Sequence, residues 1–209
     1  MNTQLTITGR LVHVLKRIQY NAPVVLTFSL LAVAVQAISS FWPWFTPTFF
    51  GLPSEISLLD PLSYFRLVFY AAGHGGWEHL LGNLTFILLL GPILEEKYGS
   101  RAILWMMFFT ALCTGLIHVL FFSQSLLVGA SGIVFMLITL ASIVDVREGF
   151  IPLTFILIAI IFLGTELINA FQQDNISQTG HIMGGVMGAI FGFKGFGSRL
   201  LSRSPSGLK

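Results

Sequence analysis

Residues 77–95 have the sequence WEHLLGNLTFILLLGPILE, in which a short polar start precedes a long apolar run. His79 and Asn83 are four residues apart, so they would share one face of a helix. A helix needs about 20 mostly apolar residues to cross a bilayer. This stretch therefore predicts a membrane-spanning helix with two polar groups near its first end.

The composition of the whole chain agrees with a membrane environment. Of its 209 residues, 55% are hydrophobic and 10% are charged, and the mean hydropathy is +0.84. A soluble domain is about 25% charged, so this chain lacks the residues for a polar shell. The formal net charge of +2 gives no reason to expect nucleic acid as a partner.

Five further apolar segments, separated by polar breaks, extend this prediction to six spans. The predicted spans are 23–42, 77–95, 102–122, 126–144, 151–170 and 180–193. The predicted fold is all-α, a polytopic membrane bundle over 23–195 between an N-terminal segment, 1–22, and a C-terminal tail, 196–209. The aromatic and proline-rich segment 43–76 is expected to lie in the outer interface, either as an anchoring belt or as a loop that shapes access to a site.

The basic residues predict the orientation of this bundle. Ten of the 11 lysines and arginines fall in segments on one side of the six-span arrangement, and only Arg66 falls on the other. Segments rich in lysine and arginine stay in the cytoplasm. Both termini are therefore expected to be cytoplasmic.

Polar residues from three spans are expected at one depth. Ser131 lies about five residues into the fourth predicted span, and His181 lies at the start of the sixth. With a rise of about 1.5 Å per residue, these two and the His79–Asn83 pair lie within roughly 10 Å of the outer boundary. Polar groups are costly inside a membrane and mark functional sites there.

The residue types at this depth favour acyl transfer. A serine hydroxyl becomes a nucleophile when a base takes its proton, and histidine suits that role near neutral pH. Ser131 and His181 are therefore the candidate nucleophile and base, without a carboxylate at the same depth to complete a triad. The backbone N–H of Ser131, the Asn83 amide and the His79 imidazole are candidate oxyanion donors. A structural bond between helices is the alternative for His79 and Asn83.

Glycine recurs every four residues along the sixth predicted span, at Gly180, Gly184, Gly188 and Gly192. Small residues at this spacing let two membrane helices approach closely. A close approach of the fourth and sixth spans would bring Ser131 and His181 together.

Four motifs of this chain occur in the same order as those of the rhomboid intramembrane serine proteases. The resemblance covers roughly residues 60–195. Residues 74–83 resemble the histidine and asparagine motif of the second span, and 91–99 resemble the family's Gly-x-x-x-Glu-x-x-x-Gly motif. Residues 129–132 resemble the nucleophile motif, and 180–188 the catalytic-histidine motif.

Two positions depart from the family pattern. Phe65 precedes Arg66 where tryptophan is usual, and Gly180 stands where alanine often precedes the histidine. Neither change removes a catalytic group.

The resemblance implies an intramembrane endopeptidase that cuts transmembrane segments near the outer leaflet through an acyl-enzyme. It implies a dyad of Ser131 and His181, with His79 and Asn83 stabilising the oxyanion. Arg66 is expected to bond within the outer loop or to a lipid phosphate, and Glu95 to cap the inner end of the second span. The full set of residues for which it implies a structural role is Arg66, His74, Glu95, Gly99, Gly129, Gly132, Gly184 and Gly188.

Other functions fit the sequence less well. His74 and His79 are five residues apart, whereas a zincin helix places its histidines four apart, so neither a metal nor another cofactor is expected. A transporter should show inverted repeats and broken helices, and a non-catalytic binding homologue should lack the serine or the histidine. Both remain alternatives. Glu166 and Asn169 either gate substrate entry or reach the interface.

The expected partners are transmembrane protein substrates and membrane lipids, while the oligomeric state stays open. The expected location is a bacterial inner membrane, with the site open to the periplasmic or extracellular side.

Overall fold

The computed structural model describes residues 19–122, 125–143, 153, 156, 157, 160 and 175–193, and most of these are helical. The helices are α1 (Pro23–Phe41), α2 (Pro61–Phe69), α3 (Trp77–Tyr98), α4 (Ser100–Phe121), α5 (Ser131–Ile143) and α6 (Asn175–Phe193). Two short antiparallel strands, β1 (Leu52–Pro53) and β2 (Leu126–Leu127), pair with Leu52 opposite Leu127. The mainly helical fold agrees with the predicted class, and the strand pair adds to it.

Three helices, α1, α3 and α4, are long and apolar enough to cross a bilayer. They contain 19, 22 and 22 residues, with mean hydropathies of 2.1, 1.3 and 2.0 in their most apolar windows. Two shorter apolar helical stretches are α5 and the Gly180–Phe193 part of α6. The tail 196–209, Glu166, Asn169 and most of the predicted fifth span lie outside the described residues, so the count of six spans stays a prediction.

Helix α5 lies at the centre of the described helices and packs against α3, α4 and α6. Its side chains Met136, Leu137 and Leu140 are fully buried. The outer faces of the neighbouring helices instead carry exposed leucines, including Leu89 on α3 at 61% and Leu120 on α4 at 72%. Apolar surface exposed on this scale suits lipid better than water.

Helices α1 and α3 run antiparallel and are joined at both ends. Near the end of α3, the Glu95 carboxylate accepts hydrogen bonds from the backbone N–H groups of Val24 and Val25, both at 3.0 Å. At the other end, the Trp77 indole N–H donates to Ser40 Oγ at 3.0 Å.

Glu95 therefore caps the start of α1, whereas the sequence placed it as a cap on the inner end of its own span. The first N–H groups of a helix have no intrahelical partner and carry the positive end of the helix dipole. A carboxylate is favourable at that position, and it is unfavourable at the negative end of its own helix.

The predicted start of the fourth span was wrong by about five residues, whereas the apolar stretch Gly180–Phe193 has the bounds predicted for the sixth. Helix α5 begins at Ser131 because Leu126 and Leu127 pair with β1 and Gly129 adopts a φ of +109°. Ser131 is thus the first residue of its helix rather than about five residues inside it. Helix α6 begins at Asn175, ahead of the apolar run, so His181 lies in its second turn.

The outer loop 43–76 is folded into a π-helical turn (Thr46–Phe50), β1, α2 and a 3₁₀ turn (Tyr70–Ala72). Pro47 and Pro61 stand in the first turn of helical segments. A proline is well tolerated there because its missing N–H would have had no helical partner. Pro47 and Pro61 therefore begin helical segments rather than interrupting them.

Arg66 makes a hydrogen bond and an ion pair within the outer loop. Its Nε donates to the Thr48 carbonyl oxygen at 3.0 Å, and its Nη2 donates to the same oxygen. Its Nη1 lies 3.9 Å from the carboxylate of Asp60. Arg66 therefore bonds within the outer loop, which is one of the two partners expected for it; the other was a lipid phosphate.

Candidate active site

The backbones of helices α5 and α6 lie in close contact at the glycines of the repeat and at Gly132. A Cβ added at Gly184 would lie 2.1 Å from the Gly132 carbonyl oxygen, and one added at Gly188 would lie 2.5 Å from the Met136 carbonyl oxygen. A Cβ at Gly132 would lie 3.2 Å from the Gly180 carbonyl oxygen. The glycine repeat thus allows the close approach that its spacing predicted.

Ser131 and His181 flank this contact, because they adjoin Gly132 and Gly180 in the chain. Phe135, one turn after Ser131 on α5, packs against the His181 ring with 4.4 Å between ring centroids. Residues four apart share a helix face, so the His181 ring lies against the face of α5 that contains Ser131. Both candidate residues are half-buried. Phe135 was not predicted from the sequence, although its spacing from Ser131 was a usable signal.

The position of Ser131 at the start of α5 has a chemical consequence. The Val134 N–H donates to the Ala130 carbonyl oxygen at 3.0 Å, so the N–H groups of residues 131–133 precede the first helical bond. They lack an intrahelical acceptor and lie at the positive end of the helix dipole. Such backbone donors can stabilise a developing oxyanion.

His79 and Asn83 of α3 both lie against Gly129, two residues before Ser131. A Cβ added at Gly129 would lie 2.6 Å from His79 Cε1 and 3.8 Å from Asn83 Nδ2. His79 is exposed, whereas Asn83 is buried at 7% exposure. His79 also interacts electrostatically with His181, so α3, α5 and α6 all contribute to one place.

The Asn83 amide has an unused donor. Within the described residues, its buried Nδ2 makes no hydrogen bond. A buried amide N–H without a partner is unfavourable. This group can therefore donate to a ligand oxygen at little cost.

His74 is buried beside His79, with 2% of its surface exposed. The two rings form an edge-to-face pair with centroids 5.1 Å apart, and His74 Nδ1 donates to the Ala72 carbonyl oxygen at 3.3 Å. Burial, and to a smaller extent the neighbouring His79, lowers the pKa of His74 to about 4. His74 is therefore neutral at physiological pH and supports the His79 ring from one side.

Tyr70 connects the outer loop to the segment that precedes Ser131. Its carbonyl oxygen accepts from the Gly129 N–H at 3.1 Å, and its hydroxyl donates to the Ala111 carbonyl oxygen at 3.1 Å. Burial raises the pKa of the Tyr70 hydroxyl, which stays neutral. The left-handed φ of Gly129 and this bond together set the entry into α5. No sequence motif pointed to Tyr70.

The arrangement defines a class of protein: a helical membrane protein in which a serine, two histidines and an asparagine gather where three helices begin. Residues 61–198 match the family described as Rhomboid domain. The chain belongs to the rhomboid family, and it is an integral membrane protein.

The chain is also similar to Rhomboid-like protein 11, chloroplastic, from Arabidopsis thaliana, with 26% identity over 132 residues. The match covers 62% of this chain and 44% of the relative. The chain thus spans less than half the length of this curated relative.

Proposed function

We propose that this protein is an intramembrane serine endopeptidase that cuts transmembrane segments of other membrane proteins near the outer leaflet. The observation that supports the proposal is the contact between the rings of Phe135 and His181, because Phe135 lies one helical turn after Ser131 on α5. Membership of the rhomboid family, an intramembrane protease family, supports it.

In the first half of the reaction, Ser131 Oγ attacks the carbonyl carbon of the scissile peptide bond while its proton passes to the His181 imidazole. The negative charge that develops on the carbonyl oxygen is stabilised by the N–H of Ser131, Asn83 Nδ2 and the His79 ring. The C–N bond then breaks, and His181 protonates the leaving amine. An ester between the substrate and Ser131 remains.

In the second half, water attacks the carbonyl carbon of this ester and gives a proton to His181. Collapse of the intermediate releases the carboxylic acid product, and His181 returns the proton to Ser131 Oγ. No other reactant is needed, because each proton taken by His181 is given back within the same half-reaction.

The substrate has to reach this site from lipid. A peptide bond inside a helix is shielded by its own hydrogen bonds, so the substrate segment unwinds near its outer end before attack. The placement of basic residues favours a site that opens to the side of the membrane opposite the cytoplasm. The folded outer loop, tied through Tyr70 to Gly129, borders the route of entry.

The test is cleavage of a transmembrane substrate in liposomes by the wild type, Ser131→Ala and His181→Ala. Each variant should lower the rate by at least about 10³-fold, because the nucleophile and base act as a unit. Ser142→Ala is the matched control: Ser142 lies on the same helix, and its hydroxyl donates to the Ile138 carbonyl oxygen at 2.8 Å. This control should cut at nearly the wild-type rate. Equal cleavage by the wild type and Ser131→Ala would contradict the serine mechanism.

A further inference from the structure

Tyr70 lies where three parts of the molecule meet, and each of its polar groups has a partner. Its N–H donates to the Arg66 carbonyl oxygen of α2. Its carbonyl oxygen accepts from the N–H groups of Gly73, at 3.0 Å, and Gly129, at 3.1 Å. Its hydroxyl donates to the Ala111 carbonyl oxygen of α4 at 3.1 Å, and only 3% of its surface is exposed. Tyr70 is therefore held through its main chain and through its side chain.

The side chain of Tyr70 fixes the place of its carbonyl oxygen. The main chain at Tyr70–Ala72 forms a single 3₁₀ turn, and such turns have poorer hydrogen-bond geometry than α-helices. The Tyr70 ring is packed in the hydrophobic core, and its hydroxyl is bonded to α4, a helix of 22 residues. The carbonyl oxygen that holds Gly129 is thus positioned relative to a long helix and not by the turn alone.

The segment from Gly129 to Ser131 carries this placement to the candidate nucleophile. A peptide group is planar, and its N–H and C=O point in opposite directions. The Ala130 carbonyl oxygen accepts from the Val134 N–H at 3.0 Å, so the Ser131 N–H of the same peptide group points away from the body of α5. The bond from Gly129 to Tyr70 holds the other end of this segment. These two hydrogen bonds together orient the Ser131 N–H.

The position of Gly129 also sets the spacing of the other two candidate oxyanion donors. A Cβ added at Gly129 would lie 2.9 Å from His79 Nε2 and 3.8 Å from Asn83 Nδ2. Donors stabilise an oxyanion when they are already in place before charge develops. A misplacement of about 1 Å in a site can lower a rate by about 10²-fold. A shift of Gly129 would therefore disturb all three donors at once.

We propose that Tyr70 is a positioning residue of the reaction, and that its hydroxyl bond to Ala111 keeps the Ser131 N–H aligned with the candidate oxyanion donors of α3. This inference rests on the proposed serine mechanism. The alignment matters once negative charge develops on the substrate oxygen, so Tyr70 acts on the transition state rather than on substrate binding. Loss of its hydroxyl should lower kcat and leave KM unchanged.

The test compares Tyr70→Phe with Tyr64→Phe in the liposome cleavage assay. Tyr64 is the matched control, because it lies on α2 and its hydroxyl donates to the Leu58 carbonyl oxygen at 2.9 Å, within the outer loop. Both variants keep the aromatic ring and lose one bond of the same kind. Tyr70→Phe should lower kcat about tenfold, less than the roughly 10²–10³-fold cost of deleting an oxyanion donor. Tyr64→Phe should keep the wild-type kcat.

Hydrogen exchange measures the anchoring independently of cleavage. The Gly129 N–H should exchange about tenfold faster in Tyr70→Phe than in the wild type, because its acceptor is held less firmly. The same N–H should exchange at the wild-type rate in Tyr64→Phe. Equal exchange in the wild type and in Tyr70→Phe would overturn the proposal.

Two kinetic results would also overturn it. One is an equal kcat in the two phenylalanine variants, and the other is a rise in KM alone, which would place Tyr70 in substrate binding. Ser131→Ala, measured beside them, tests the proposed function separately. Cleavage by Ser131→Ala at the wild-type rate would contradict the serine mechanism, while the exchange of the Gly129 N–H would still decide whether Tyr70 anchors this segment.

Discussion

Two helix pairs of the molecule, α5–α6 and α1–α3, are held together by different kinds of contact. Helices α5 and α6 touch through backbone atoms, so a carbon added at Gly184 meets the Gly132 carbonyl group. Helices α1 and α3 touch through side chains, and a carbon added at Gly91 of α3 would meet only the Val25 side chain, at 2.7 Å. Backbone cannot move aside as a side chain can. The first contact therefore fixes the distance between two helices, whereas the second tolerates adjustment and relies on the hydrogen bonds at its ends.

The largest expected effect is at the α5–α6 contact. Gly184→Ala should lower the free energy of unfolding by about 3 kcal/mol, the upper end of the range for overpacking, and abolish cleavage because the helices must separate. Thermal unfolding in detergent and the liposome cleavage assay measure the two effects.

Gly180→Ala is the matched control on the same helix. Its added Cβ would lie 3.6 Å from Thr114 Cγ2, an ordinary contact. Its stability should stay within about 1 kcal/mol of the wild type, since alanine is also the better helix former. If both alanine variants unfolded at the same temperature, the backbone contact would not be the determinant.

The next effect concerns the α1–α3 contact. Glu95→Ala removes a buried carboxylate, 3% exposed, and leaves the N–H groups of Val24 and Val25 without their acceptor. We expect a loss of about 2–3 kcal/mol in unfolding free energy, because hydrogen bonds to charged groups are the stronger ones. Denaturant titration of Glu95→Ala beside Glu96→Ala measures it. Glu96 is exposed, and its variant should change stability by no more than about 0.5 kcal/mol. Equal losses in both variants would argue against the cap on α1.

The smallest expected effect is a dependence of stability on pH through His74, which lies outside both helix contacts. His74 has a pKa of about 4 when folded, against an ordinary value of 6.5, so between these pH values the unfolded chain binds more protons. The contribution of His74 to the free energy of unfolding is complete above pH 6.5 and is lost as the pH falls toward 4. The loss should reach about 2 kcal/mol at pH 5.

Unfolding midpoints measured from pH 7.5 to pH 5 check this expectation. His74→Gln cannot titrate in this range and should flatten the curve. An identical pH dependence in the wild type and in this variant would assign the loss to another group.

The sequence could predict what depends on local spacing. The glycine repeat of α6 and the apolar lengths of α1, α3 and α4 are visible in the chain itself. The Glu95 cap was not visible, because its partners lie 71 and 70 residues away and are backbone groups. The start of α5 was misplaced for a related reason. An apolar segment at 126–127 continues the span in sequence, but its pairing with Leu52 is a tertiary contact that overrides the local pattern.

The same distinction applies to the candidate site. The sequence predicted that Ser131, His181, His79 and Asn83 lie near one another from their expected depths, and these residues border the α5–α6 contact and Gly129. Tyr70 could not be found in this way, because its role depends on a carbonyl oxygen that every residue possesses. The roles of these residues in catalysis stay predictions until they are tested chemically.

The most direct test of the central claim is covalent labelling of the reconstituted protein with a fluorophosphonate, followed by peptide mass spectrometry. A fluorophosphonate modifies a serine whose hydroxyl is activated by a neighbouring base. We expect one adduct, on Ser131, which is at least about tenfold weaker in His181→Ala and unchanged in Ser142→Ala. An adduct on another serine, or labelling of Ser131 that does not depend on His181, would contradict it.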